Sequence, residues 1–198
     1  MIVLGLTGGI GSGKGLATEF FRGRGAAIID ADEIARDVVQ PGSPVLAELV
    51  AAFGDAVLRE DGSLDRRRLA NLVFGNPAAV AILNAITHPV ILEEVDRRLA
   101  ELRAEGRVRV ACVVAPLLLE AGYRAAVDRV IVMWAEEEER LRRVMPRDGV
   151  SREEVLGRMA AQMPPEEQRR LADWVVDTTE GKESAWRQLE AIWKEITG

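Results

Sequence analysis

Hydrophobic positions along this chain fall into two kinds of pattern. Five short stretches are apolar nearly throughout: residues 2–7, 26–29, 108–115, 130–134 and 174–177. Short continuous apolar runs predict strands buried on both faces of a parallel sheet. Between them the apolar spacing is helical. Residues 16–21 continue as a helix until Gly23 and Gly25, and a second helix begins at Glu33-Ile34-Ala35-Arg36. After the break Gln40-Pro41-Gly42-Ser43-Pro44, the chain reads as helix after helix to about residue 107. Leu46, Leu49, Val50 and Phe53 share one face, stopped by Gly54. Asp65 is placed to cap a helix over 66–74, and Asn76-Pro77 opens another. Thr87-His88-Pro89 then begins a longer helix, with Val90, Ile91, Val95, Leu99 and Leu102 on one side. Past the fourth strand, a helix led by Glu136 to Glu139 turns at 145–149. A capping-box spacing at Ser151–Glu154 starts its partner, and an amphipathic helix over 185–196 closes the chain.

This order predicts an α/β fold with a five-stranded parallel sheet flanked by helices. The first strand–helix–strand unit implies a right-handed crossover and a parallel strand pair. The core is expected in residues 1–37, 106–135 and 171–198, with a helical insertion over 38–105 and a helical lid over 136–170.

With 198 residues, 48% hydrophobic and 29% charged, the composition suits one ordinary globular domain with inserted subdomains. No apolar run is uninterrupted for long enough to span a bilayer, and no charged-then-apolar leader is seen; a cytoplasmic protein without a membrane partner is expected. The one cysteine, Cys112, lies in an apolar run and reads as a core thiol. A net charge of −6 argues against a broad nucleic-acid surface. Oligomeric state is left open.

The chemistry concentrates after the first strand. Gly8-Gly9-Ile10-Gly11-Ser12-Gly13-Lys14 is G-x-x-x-x-G-K between a strand and a helix. Such glycines let backbone N–H groups cradle phosphate oxygens at a helix N-terminus, and Lys14 would reach the outer phosphates. The 26 basic residues include only three lysines, which makes a lysine here notable. The Ser or Thr that normally follows, and whose hydroxyl ligates Mg²⁺, is replaced by Gly15; Leu16 comes next, and Thr18 is the nearest hydroxyl. Asp30-Ala31-Asp32 ends the second strand. Residues i and i+2 of a strand share a face, so both carboxylates could serve one cleft as base or metal partner; the alternative is that Asp32 caps the following helix. The third strand ends at Ala115-Pro116 without an acid, leaving Asp30, Asp32 and, less directly, Glu120 as candidates. The only histidine, His88, reads as a cap or packing residue or as a ligand contact. Arg66-Arg67-Arg68 is a solvated face or an attractor for an anionic substrate. The arginine-rich hairpin, with Arg140, Arg142, Arg143, Arg147 and Arg158, is either a salt-bridged surface or a flap that delivers arginines to phosphates. Arg147 is the preferred candidate because it is expected at the turn.

Taken together, these segments resemble the dephospho-coenzyme A kinase family over nearly the whole chain. The resemblance is carried by residues 6–14, Ile29-Asp30-Ala31-Asp32 with Ala35-Arg36, Gln40-Pro41-Gly42-Ser43-Pro44 and Asp61-Gly62-Ser63-Leu64-Asp65-Arg66. It extends through Thr87-His88-Pro89, Pro116-Leu117-Leu118 with Glu120, Arg147-Asp148 and Val175-Val176-Asp177. It implies a P-loop NTPase fold and ATP-dependent phosphorylation of the ribose 3′-hydroxyl of dephospho-CoA, the last step of coenzyme A synthesis. It implies Asp32 as general base, Lys14 as transition-state stabiliser and Arg147 as a lid contact. ATP would bind at Gly9, Gly11, Ser12, Gly13, Lys14, Gly15, Leu16 and Arg147. The acceptor would meet Asp32, Arg36 and His88, and Mg²⁺ would be held mostly through water by Asp30 or Asp32. Gly15-Leu16 departs from the family's usual Ser-Thr, and Thr178 stands where Asn is common, near the expected adenine site. Two other readings stay open: an impaired nucleotide- or CoA-binding protein of this fold, or a nucleoside monophosphate kinase.

Overall fold

In the computed structural model, which describes residues 1–120 and 122–198, all five strands are present. They are β1 (Ile2–Thr7), β2 (Ala27–Asp30), β3 (Val110–Val114), β4 (Arg129–Trp134) and β5 (Trp174–Asp177). Every pairing is parallel, and the order is β2-β3-β1-β4-β5. The first crossover therefore does not make a neighbouring pair. The chain leaves β1 through α1 (Lys14–Gly23), skips one position, and β3 later fills the gap beside β1. Apolar periodicity fixes which residues are strands but carries no information on which strand lies next to which.

Two compact units divide the chain: Met1–Asp30 with Leu99–Gly198, and Ala31–Arg98. In the first, Leu4 and Leu6 of β1 and Ile131 and Met133 of β4 join Phe20 and Phe21 of α1 in one core. The amphipathic α9 (Lys182–Thr197) covers it with Leu189 and Ile192. At the other face of β1, a Cβ on Gly5 would lie 2.7 Å from Leu118 Cδ1, so a larger residue there would make the Leu118 side chain shift. The second unit contains α2 (Ala31–Asp37), α3 (Pro44–Phe53), α4 (Arg66–Val73) and most of α5 (Pro77–Glu105). Its own core joins Val45, Leu46, Leu49, Val57 and Leu69. Asp65 caps α4 by accepting from the Arg67 and Arg68 N–H groups, as its position predicts.

Helix α5 differs from expectation. It runs unbroken for 29 residues, with Pro89 inside it, where two helices are predicted. Proline removes one backbone donor and normally ends a helix. Here Leu83, Ile86 and Val90, on both sides of that point, pack against the same core, and this shared burial keeps the two segments in one helix. The fused helix is long and apolar enough, by length and composition alone, to cross a membrane, with a mean hydropathy of 1.4 over its most apolar window.

The segment expected to be a lid consists of α6 (Glu137–Asp148), α7 (Arg152–Ala160) and α8 (Pro165–Leu171). Glu137, Glu138 and Glu139 occupy the first turn of α6, where the helix dipole favours acids. Glu139 accepts from Arg142 Nε at 2.7 Å and from Arg143 Nε at 2.7 Å. Hydrogen bonds from Arg142 and then Arg143 hold its carboxyl at about 2, against an ordinary 4.5. A carboxyl depressed on folding adds stability that is complete above its unfolded pKa and lost as pH falls through the folded one. We therefore predict that Glu139→Gln lowers the melting temperature by a constant amount above about pH 5. The gap to the parent should close as pH falls from 4.5 towards 2 in parallel thermal melts.

Candidate active site

The loop between β1 and α1 is shaped by three glycines with positive φ: Gly8 (143°), Gly11 (77°) and Gly13 (89°). A Cβ on Gly8 would stand 2.3 Å from the Met133 carbonyl oxygen, so the loop can lie against the end of β4 only without a side chain there. Gly13 occupies the N-cap position of α1 and provides no side-chain cap. The Leu16 N–H donates to the Gly13 carbonyl at 2.9 Å, and the N-terminus of α1, uncapped by any side chain, follows directly on the loop, where a helix end favours an anion. Lys14 Nζ donates to the carbonyls of Gly8 at 2.5 Å and Gly9 at 3.3 Å, folding the ammonium over the mouth of the loop. The Ser12 hydroxyl is 2% exposed residue-wide and has no hydrogen-bond partner.

The loop is held from outside by residues far away in sequence. Thr178, fully buried just after β5, donates its hydroxyl to the Ser12 carbonyl at 3.0 Å. Arg143 donates to the Thr178 hydroxyl (2.8 Å), the Thr178 carbonyl (2.6 Å) and the Gly11 carbonyl (3.2 Å). Arg140 Nε donates to the Ile10 carbonyl at 2.8 Å, and the Ile10 N–H donates to Gln162 Oε1 at 2.8 Å. Ile10 itself packs on the small lid core of Leu141, Val144 and Val155. Loop and lid therefore share both polar and apolar contacts.

Arg147 is not at a turn. α6 continues through Pro146 to Asp148, and Gly149 ends it in the left-handed conformation. Arg147 is paired with Asp148 at 2.7 Å, and Asp148 also takes Arg158 at 3.1 Å. The salt-bridged reading of the hairpin thus describes Arg142, Arg147, Arg152 and Arg158; Arg143 pairs with Glu139 and also reaches the loop, and Arg140 turns inward to the loop. Glu120 accepts from the Met163 N–H at 3.2 Å.

Asp30 closes β2 in register with Val114, which in turn pairs with Leu6. Two strand spacings place its Cα about 10 Å from β1, just before the loop. The strand argument for a shared Asp30–Asp32 face does not hold, because α2 already begins at Ala31. Nor is Asp32 an N-cap: it is the second residue inside the helix, and exposed.

Comparison with known proteins decides what kind of loop this is. The model of the dephospho-CoA kinase family matches residues 2–183. The chain belongs to the dephospho-CoA kinase family. A dephospho-CoA kinase of Carboxydothermus hydrogenoformans is 44% identical over 195 residues, covering 97% of this chain and 94% of that one. Among solved structures, a protein of Thermus thermophilus superposes with a TM-score of 0.85 at 38% identity, over 100% of this chain and 98% of the other. A dephospho-CoA kinase from Campylobacter jejuni superposes with a TM-score of 0.63 at 27% identity, covering 98% and 96%.

Dephospho-CoA kinases are ATP-dependent phosphotransferases, and the five-stranded parallel sheet with its phosphate loop is the P-loop kinase fold. In the helical unit, Arg36 is exposed and His88 half-buried within α5, its imidazole pushed down by burial. Arg66, which sequence reasoning treated only as part of a basic run, donates to the Ala35 carbonyl at 3.5 Å. Burial, and then the charge of nearby Arg36, push its guanidinium down. Two cations are thus adjacent in this unit, a fit for an anionic group. For Mg²⁺, the described residues contain no cluster of three acids or histidines. Gly15 has no hydroxyl, and Thr18 Oγ1 donates to the Lys14 carbonyl at 3.2 Å. With Asp30 as the nearby strand-end acid, the donor set fits an ion carried in on nucleotide phosphates rather than one caged by protein. Gly15 is exposed, and a Cβ there would meet nothing within 4 Å.

Sequence reasoning missed the roles of Arg140, Arg143 and Thr178 in supporting the loop. Their targets are 130, 132 and 166 positions distant, beyond any local signal.

Proposed function

We propose that this protein is a working, cytoplasmic dephospho-CoA kinase that transfers the γ-phosphoryl group of ATP to the ribose 3′-hydroxyl of dephospho-CoA. The observation that carries this reading is the phosphate loop, complete in glycine geometry and lysine, in a chain of this family. The loop's N–H groups and the α1 N-terminus bind the phosphates, and Lys14 moves from the Gly8 and Gly9 carbonyls to phosphate oxygens. Gly9, Gly11, Ser12, Gly13, Gly15 and Leu16 form the rest of the ATP cradle, with Arg147 reaching it once released from Asp148. Arg36, with Arg66 beside it, attracts the anionic part of the acceptor, and His88 packs against it. Asp32 accepts the 3′-hydroxyl proton as that oxygen bonds to the γ-phosphorus. The bond from the γ-phosphorus to the bridging oxygen breaks, and ADP leaves. Asp30 or Asp32 would hold Mg²⁺ through water, and the ion would supply neutralising charge to the phosphates.

The acceptor decides between this reading and a nucleoside monophosphate kinase. ADP release should be measured with dephospho-CoA, AMP and adenosine as acceptors. Dephospho-CoA is expected to be the preferred acceptor by kcat/KM; preferred turnover of AMP contradicts the assignment.

A further inference from the structure

Two buried residues near the loop line one cavity: Ser12, whose hydroxyl has no partner, and Arg140, whose guanidinium is held through Nε alone. The cavity, of about 460 Å³, is bounded by Gly9, Ser12, Glu137, Arg140, Met159 and Gln162, among others. Arg140 is 6% exposed. Its Nε is used by the Ile10 carbonyl, but its guanidinium makes no ion pair with any described residue. Glu137, the only acid on the cavity wall, is exposed and acts on Arg140 through space without pairing with it. A buried cation without an anion is costly, and proteins keep one where a ligand completes it. The second group is the Ser12 hydroxyl, buried with no partner at all.

Gly9 ties these groups to the loop. A Cβ on Gly9 would stand 2.5 Å from Arg140 Nη2, while the Gly9 carbonyl accepts from Lys14 Nζ. Two cations of different kinds thus flank one residue of the phosphate loop, one a point charge and the other a planar fork. We infer that Arg140 and the Ser12 hydroxyl bind the terminal phosphate of the donor nucleotide, making Arg140 a catalytic residue opposite Lys14. The guanidinium keeps Nε on the loop and presents its Nη groups to a γ-phosphate oxygen. Ser12 donates its orphaned O–H to the same phosphate. This supplies a hydroxyl donor from inside the loop, in a chain whose position 15 has none. The inference rests on the loop being an ATP site, but not on the identity of the acceptor.

The test is calorimetric binding, without acceptor, of ADP and of a non-transferable β,γ-imido analogue of ATP to the parent, Arg140→Gln and Ser12→Ala. Arg140→Gln should weaken the triphosphate about 10-fold or more while ADP changes less than about twofold, since only the triphosphate has the contacted group. Ser12→Ala should show the same selectivity at about 3- to 10-fold. It should melt no lower than the parent, because it deletes a buried hydroxyl that has no partner. Equal loss of both nucleotides, or no loss of either, overturns the inference and leaves Arg140 a loop buttress. If Arg140→Gln does not fold, Ser12→Ala decides alone, an unchanged triphosphate preference being the contrary result. A parent that binds neither nucleotide overturns the proposed function as well, whereas a parent that binds both but does not phosphorylate dephospho-CoA overturns only the latter.

Discussion

Asp32→Asn is expected to lower kcat for dephospho-CoA phosphorylation by about 10²- to 10⁴-fold, the range for losing a positioned general base. ATP affinity should stay within about twofold, because the change is isosteric and lies outside the phosphate loop. The fold should survive. Asp32 is exposed, stands inside the first turn of α2 rather than at its N-cap, and exposed substitutions usually move stability by only about 0.5 kcal/mol. Asn keeps the shape and a hydrogen-bonding oxygen but cannot take the proton. Steady-state kinetics, nucleotide calorimetry and a thermal melt on one preparation separate the possibilities. A drop in melting temperature matching the loss of activity would return Asp32 to a structural role.

Lys14→Ala is expected to lower kcat by at least about 10²-fold, comparable to removing one charged stabiliser of a transferring group. The ammonium acts at the mouth of the loop, on the Gly8 and Gly9 carbonyls, where ATP phosphates would replace those carbonyls. Unlike Asp32→Asn, this variant should weaken triphosphate binding too, since Lys14 contacts the donor and not the acceptor. Lys14→Arg should not restore the rate, because a planar fork cannot occupy the site of a compact point charge. Product formation followed over long incubations, with ADP and ATP-analogue affinities measured alongside, gives both readouts. Retained turnover in the Ala variant would remove Lys14 from the reaction.

The phosphate loop was legible in the sequence because its chemistry is local. Three positive-φ glycines and a lysine lie within residues 8–14, and the helix begins at that lysine. The strands were legible because burial on both faces leaves continuous apolar runs such as residues 110–114. What could not be read depends on contacts between distant segments. The insertion of β3 between β1 and β2 follows from the path of a crossover rather than from any residue pattern. The turn expected over 145–149 falls at its last residue, Gly149, because Leu141 and Val144 bury against Val155 and Ile10, carrying α6 on to Asp148. Nothing in the sequence marks Arg140 and Arg143 above Arg147, the arginine preferred for its place near the turn. All three share one face of α6, and position along the axis separates them: 140 and 143 meet the loop, while 147, about two turns beyond 140, meets Asp148.

Gly15 bears most directly on the central claim. The position is open, its φ is not positive and a side chain would meet no neighbour, so Gly15→Ser can be accommodated without repacking. The deciding measurement is steady-state ADP release with ATP, Mg²⁺ and dephospho-CoA, confirmed by the mass of the CoA product, on this chain and on Gly15→Ser. This chain is expected to turn over by itself, on the order of 1 s⁻¹ or faster, within about tenfold of its serine variant. A serine variant that makes CoA beside a parent chain that makes none would contradict the proposed function.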